Sequence, residues 1–241
     1  MQLIIDVGNT KVKLAIFKEA TLKEKREVVL EHFTQGVIDL VKSYPVTKAI
    51  ISSVGRLTEL QCRSVQNRFP TIILNHKTSV PFINEYDTPE TLGVDRIGLI
   101  SAFAKAYPGK NGLIIDAGTC ITYDFITSRG VYKGGAISPG IRLRYTSLHS
   151  LTANLPLLET RVPKSFIGTS TESSMHSGVV NGVVQEINGV IAQYKEEYGH
   201  VHVILTGGDA QILSERLKNS IFAHSNFLLE GLNYILNISN D

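Results

Sequence analysis

Leu3-Ile4-Ile5-Asp6-Val7-Gly8-Asn9-Thr10 decides the fold, because it returns 110 residues later as Leu113-Ile114-Ile115-Asp116-Ala117-Gly118-Thr119. Each copy is an apolar run ending in a carboxylate, then a glycine turn with a threonine nearby, then a second apolar run, residues 12–17 and 121–126. Such a unit reads as a β-hairpin. Asp, Gly and Asn are also what an ordinary turn prefers. The repetition, and a third glycine turn at Thr206-Gly207-Gly208-Asp209 after an apolar run, favour a phosphate-handling role. An aspartate at a strand end can hold magnesium through water while neighbouring backbone N–H groups approach phosphate oxygens.

Outward from the first copy, residues 31–44 show helical spacing at Phe33, Val37, Leu40 and Val41, and residues 49–54 form a short β-rich run. Residues 57–69 read as a helix and 71–74 as a strand. A long helix is expected over 93–107, closed by Pro108-Gly109. That places a boundary at 110–112 and predicts domains 1–111 and 112–241. In the second half the hairpin leads into Gly134-Gly135-Ala136-Ile137-Ser138-Pro139-Gly140, which by residue type is a turn. A helix over 172–198, a strand over 201–205, and closing helices over 210–219 and 226–236 follow. The expected class is α/β, two similar domains with mixed sheets flanked by helices.

The 241 residues are 43% hydrophobic, with 24 basic against 22 acidic side chains and a net charge of +2. No global charge calls for nucleic acid or an anionic membrane, so the expected partner is a small molecule. Cys62 and Cys120 are too few and too far apart for a disulfide framework or zinc cage, which fits a reducing cytoplasm. The start MQLIIDVGNT lacks the basic and long apolar regions of a signal peptide. No apolar stretch nears the roughly 18 residues of a membrane span. His149 and His176 have no second ligand at metal spacing and read as structural, and Cys120 reads as a small buried residue.

Several motifs stand in a fixed order: DVGNT at Asp6, YDTPETLGVDR from Tyr86 to Arg96, DAGT at Asp116, GGAISPG at Gly134, LTANLP at Leu151, GTST at Gly168 and TGGDA at Thr206. Along nearly its whole length the chain resembles the type III pantothenate kinases, within the actin, hexokinase and sugar-kinase superfamily. The resemblance implies two ribonuclease H-like domains with the active cleft between them, ATP-dependent phosphorylation of pantothenate to 4′-phosphopantothenate, and a homodimer. It makes Asp95 the proton acceptor and assigns Tyr86, Gly93, Val94, Asp95, Arg96 and Thr171 to the pantothenate pocket. Asp6 would organise Mg2+, with Gly8, Asn9, Thr10 and Lys13 in the first phosphate loop. Thr119 would bond ATP phosphate, Gly207 and Gly208 the nucleoside end, and Asp116 a monovalent cation, K+ or NH4+.

By residue type alone several of these positions have plainer readings. Asp95 at a helix start suits the helix dipole, Arg96 suits an ion pair, Tyr86 suits packing and Lys13 suits a solvated strand. The pattern departs from many relatives at Ser170, where they carry an acidic or amide residue. Two alternatives stay open: another small-molecule phosphotransferase or polyphosphate hydrolase on the same fold, and a non-catalytic regulatory relative.

Overall fold

The computed structural model describes residues 1–54, 57–217 and 221–239. The chain divides into two compact units, one of Met1–Pro108 with Gly130–Tyr132 and Asn226–Asp241, the other of Gly109–Arg129 and Lys133–Ser225.

The first unit contains β1 (Gln2–Val7), β2 (Val12–Lys18), β3 (Thr21–Val28), α1 (Phe33–Val41), β4 (Lys48–Ser53), α2 (Glu59–Gln66), β5 (Thr71–Ile73), β6 (Ile83–Asn84) and α3 (Val94–Ala106). Its main sheet runs β3-β2-β1-β4-β5. β1 is antiparallel to β2 and parallel to β4. The second contains β7 (Gly112–Ala117), β8 (Cys120–Ile126), most of β9 (Val131–Pro139), α4 (Ile141–Ser150), α5 (Thr171–His176), α6 (Gly182–Tyr198), β10 (His202–Thr206), α7 (Ala210–Ser214) and β11 (Phe222–Ala223). Its strands run β11-β10-β7-β8-β9. Both orders trace the same path, so the repeat at Asp6 and Asp116 is a duplicated sheet. The head of β9, Val131 and Tyr132, groups with the first unit and pairs with β6.

Period-2 alternation sets what each strand buries. Leu3, Ile5 and Val7 enter one apolar cluster with Phe33, Val37 and Leu40; Leu113, Ile115 and Ala117 enter another with Tyr123, Phe125, Val183 and Ile187. Each Val, Leu, Ile or Phe among them contributes roughly 1.5–3 kcal/mol when fully buried. Asp6 and Asp116 therefore fall on the opposite face of their strands.

Three expectations need correction. The last helix, α8 (Phe227–Ile238), follows the second half in sequence but groups with the first unit. It packs on α3 through two glycines: a Cβ at Gly231 would lie 1.9 Å from the Gly98 carbonyl oxygen, and one at Gly98 would lie 2.6 Å from Leu228 Cδ1. Apolar periodicity identifies a helix but not the sheet it covers. Residues 134–140, expected as a turn, run as strand through Pro139. A Cβ at Gly135 would sit 1.6 Å from the Tyr123 carbonyl oxygen, so glycine is there to let β9 press on β8. The helix expected over 210–219 stops as α7 at Ser214, its last two positions lying outside the described residues, whereas the one expected over 172–198 runs without a break from Thr171 to Tyr198 and only widens into a π-helical turn at Ser177–Asn181. β3 carries no apolar alternation; its charged residues form a solvated edge strand, which protects a sheet edge.

Candidate active site

In the first unit, β1 carries Asp6 as its penultimate residue, 5% exposed. Lys13 stands opposite on β2 and brings Nζ to 3.6 Å from Asp6 Oδ2, so it is not the freely solvated strand lysine its residue type allows. Asp95 lies in the first turn of α3 and is an electrostatic neighbour of Asp6. Its Oδ1 accepts a hydrogen bond from the Arg96 backbone N–H at 2.9 Å. A Cβ at Gly93 would lie 2.5 Å from that oxygen. Gly93 thus leaves room for the carboxylate, and Val94 opens the helix. Gly8 closes the hairpin turn, donating to Lys11 O at 3.1 Å, and Asn9 and Thr10 are exposed beside it.

Arg96 is 5% exposed. Its Nη2 donates to Tyr132 Oη at 2.8 Å, and its guanidinium carbon stands 5.5 Å from the Tyr86 ring centroid. The Tyr86 and Tyr132 rings stack at 6.0 Å. Arg96 is therefore held between two phenols, a setting that keeps a planar guanidinium aimed. Tyr132 carried no sequence signal: it lies 36 residues past Arg96 and reaches it only through the β6–β9 pairing.

In the second unit the three glycine motifs converge. Gly207, at φ +95°, packs so closely that a Cβ would lie 2.3 Å from Ala117 O and 2.4 Å from Asp116 Oδ1. The Asp209 N–H donates to Ala117 O at 2.9 Å. Gly140 N–H donates to Thr119 O at 3.1 Å, and a Cβ at Gly140 would lie 2.1 Å from Gly118 O. Thr119 and Gly208 are exposed. Thr171 opens α5 and lines a pocket with Leu148, Leu155, Ser174, Met175 and Gly178. His149 and His176 are structural: His149 Nδ1 meets Leu155 O at 2.8 Å, and His176 Nδ1 meets Tyr145 Oη at 2.7 Å.

Among the described residues no group of three or more His, Cys, Asp or Glu gathers around a metal position. A divalent ion would rely on one carboxylate, waters and nucleotide phosphates, the donor set magnesium takes. Asp6 fits: burial raises its carboxyl to about 6, Lys13 opposes the rise and Asp95 adds to it. A cation beside it would relieve that penalty. The halves differ at the position facing the aspartate, Lys13 in the first and Thr122 in the second. Thr122 Oγ1 is buried without a hydrogen-bond partner. An oxygen lining where its counterpart has an ammonium suits a hard monovalent ion.

Because burial pushes the folded Asp6 carboxyl up to about 6 from its ordinary 3.8, its contribution to stability is fully present below pH 4 and is lost as pH rises through 6. The loss is roughly 3 kcal/mol. Without nucleotide or metal, Asp6→Asn should unfold at a higher temperature than wild type above pH 7, the gap closing toward pH 4. A gap that is flat with pH in thermal scans would contradict the assignment.

Two mixed sheets of identical strand order, each presenting an aspartate and a glycine turn, define the fold of the actin and sugar-kinase class of phosphotransferases. A ROK family glucokinase from Streptomyces griseus, solved with glucose and AMPPNP, superposes with a TM-score of 0.53 at 11% identity, covering 99% of each chain. A Baf family protein from Campylobacter jejuni superposes at 0.65 with 20% identity, covering 99% of this chain and 98% of that one. The chain belongs to the type III pantothenate kinase family, whose model matches residues 2–193. The type III pantothenate kinase of Christiangramia forsetii is 50% identical over 237 residues, 98% of each chain. No helix among the described residues is long and apolar enough to cross a membrane.

Proposed function

We propose that this chain transfers the γ-phosphoryl group of ATP to the primary hydroxyl of pantothenate, giving 4′-phosphopantothenate and ADP, the first step toward coenzyme A. The observation that carries the reading is the Asp95 carboxylate, set at the start of α3 beside Gly93 and next to the buried Asp6. Asp95 accepts the hydroxyl proton as the hydroxyl oxygen bonds to the γ-phosphorus and the bond to the β-phosphate oxygen breaks. Phosphoryl transfer asks mainly for positioning and charge compensation. Arg96, held by Tyr132 and Tyr86, binds anionic oxygen of substrate or of the moving phosphoryl group. The Asp6–Thr10 turn with Lys13 and the Asp116–Thr119 turn take the phosphates, and Gly207 and Gly208 the nucleoside end. Mg2+ at Asp6 would neutralise phosphate charge, and K+ or NH4+ would sit at Asp116. Thr171 completes the pantothenate pocket in a homodimer, a state light scattering would report.

ADP release with pantothenate as acceptor tests the reading; turnover of a hexose in its place would favour a sugar kinase. Tyr132→Phe removes one hydrogen bond to a charged group and leaves the ring. It should raise KM for pantothenate by roughly 10- to 100-fold, since such bonds contribute about 1.5–3 kcal/mol, with KM for ATP unchanged. An unchanged pantothenate KM in initial-rate assays would remove Tyr132 from the account.

A further inference from the structure

The turn containing Thr119 rests on β9 and its exit, and that exit is itself held by charged side chains from two helices. Gly140 contacts both Gly118 O and Thr119 O, so residues 138–140 form the floor beneath the Asp116–Thr119 turn. Arg144, one turn into α4, donates from Nε to Pro139 O at 2.9 Å and from Nη2 to Ser138 Oγ at 3.0 Å. Its Nη2 also pairs with Glu186 Oε2 on α6. Glu186 Oε1 accepts from Tyr123 Oη at 2.8 Å, and Tyr123 is a fully buried residue of β8. Burial pushes the Glu186 carboxyl up, but the bonds from Arg144, Tyr123 and Ser138 outweigh it and hold it below the usual carboxylate range. The carboxylate therefore stays charged and its two oxygens are committed.

We infer that Arg144 and Glu186 are positioning residues for nucleotide: through Ser138 and Pro139 they fix the backbone on which the Asp116–Thr119 phosphate turn sits. An ion pair of this exposure, 23% and 28% for the two side chains, adds little to stability as a charge pair. What it supplies is direction. The guanidinium is a rigid fork that reaches a carbonyl, a hydroxyl and a carboxylate from one plane, which an ammonium cannot do. Freed of it, residues 138–140 can shift, and the phosphate turn shifts with them. An ångström of misplacement costs on the order of 10²-fold in rate.

The inference rests on Thr119 meeting ATP phosphate, so its test reads nucleotide binding apart from acceptor turnover. Calorimetric titration of wild type, Arg144→Lys, Glu186→Gln and Ser138→Ala with magnesium and a non-hydrolysable ATP analogue is the measurement, beside thermal scans of each. Arg144→Lys and Glu186→Gln should weaken the analogue by roughly 10-fold or more, and kcat/KM for ATP should fall up to about 10²-fold. KM for pantothenate and the melting temperature should stay near wild type. Ser138→Ala, which leaves the ion pair alone, should show a smaller loss of the same kind and decides the matter if the charged variants fail to fold. Wild-type affinity in Arg144→Lys would show that charge alone suffices and would overturn the inference, as would equal losses for ATP and pantothenate. If wild type binds the analogue but does not phosphorylate pantothenate, the functional reading fails and the positioning role stands.

Discussion

Asp95→Asn should lower kcat by about 10²–10⁴-fold, the range a positioned general base contributes, while leaving nucleotide binding and thermal stability close to wild type. The substitution is nearly isosteric, so the gap left by Gly93 still accommodates the side chain. Its amide oxygen can still accept from the Arg96 N–H that holds the carboxylate. What disappears is the capacity to take a proton. A second signature accompanies the loss: the Asp95 charge is one of the causes that raise the Asp6 carboxyl, so removing it should lower the Asp6 pKa and flatten the pH dependence of stability between 4 and 6. A variant that kept full turnover would place the proton acceptor elsewhere. One that lost turnover together with its fold would leave Asp95→Glu, which retains a base on a longer arm, to decide by partial activity.

Gly231→Ala should be the most damaging of the stability variants, at about 3 kcal/mol or more, the upper end for overpacking a close contact. The added methyl would lie 1.9 Å from Gly98 O and 3.0 Å from Ala102 N, both backbone atoms of α3 that no rotamer change can move. Helix axes usually pack 8–10 Å apart; glycine at both contact points lets α3 and α8 come closer. Because Asp95 and Arg96 stand at the start of α3, a displaced helix would carry both with it. Chemical denaturation should show a lowered midpoint, and the residual folded enzyme should have reduced kcat. A midpoint equal to wild type would mean that the helices can separate without strain.

The duplication was legible because an apolar run ending in Asp-x-Gly is a local pattern, and its second appearance reports a second sheet of the same order. The carboxylates and glycines of the turns were legible for the same reason, each set lying within a few residues of chain. Residues contributed across chain distance were not. Tyr132 reaches Arg96 through a two-residue strand pairing, and Glu186 reaches Arg144 from 42 residues away. The membership of α8 was hidden too: Gly98 and Gly231 look like flaws in helices until the two are packed together. Polar β3 hides for the opposite reason, since an edge strand exposed to solvent needs no apolar alternation.

The reaction assigned to this chain is the phosphorylation of pantothenate. Its most direct test is the initial rate of pantothenate-dependent ADP formation by the wild-type protein with ATP and Mg2+, run with and without K+ or NH4+. ADP should form in step with 4′-phosphopantothenate, at a rate that depends on the monovalent ion. No ADP above the acceptor-free background with both cations present would contradict the assignment.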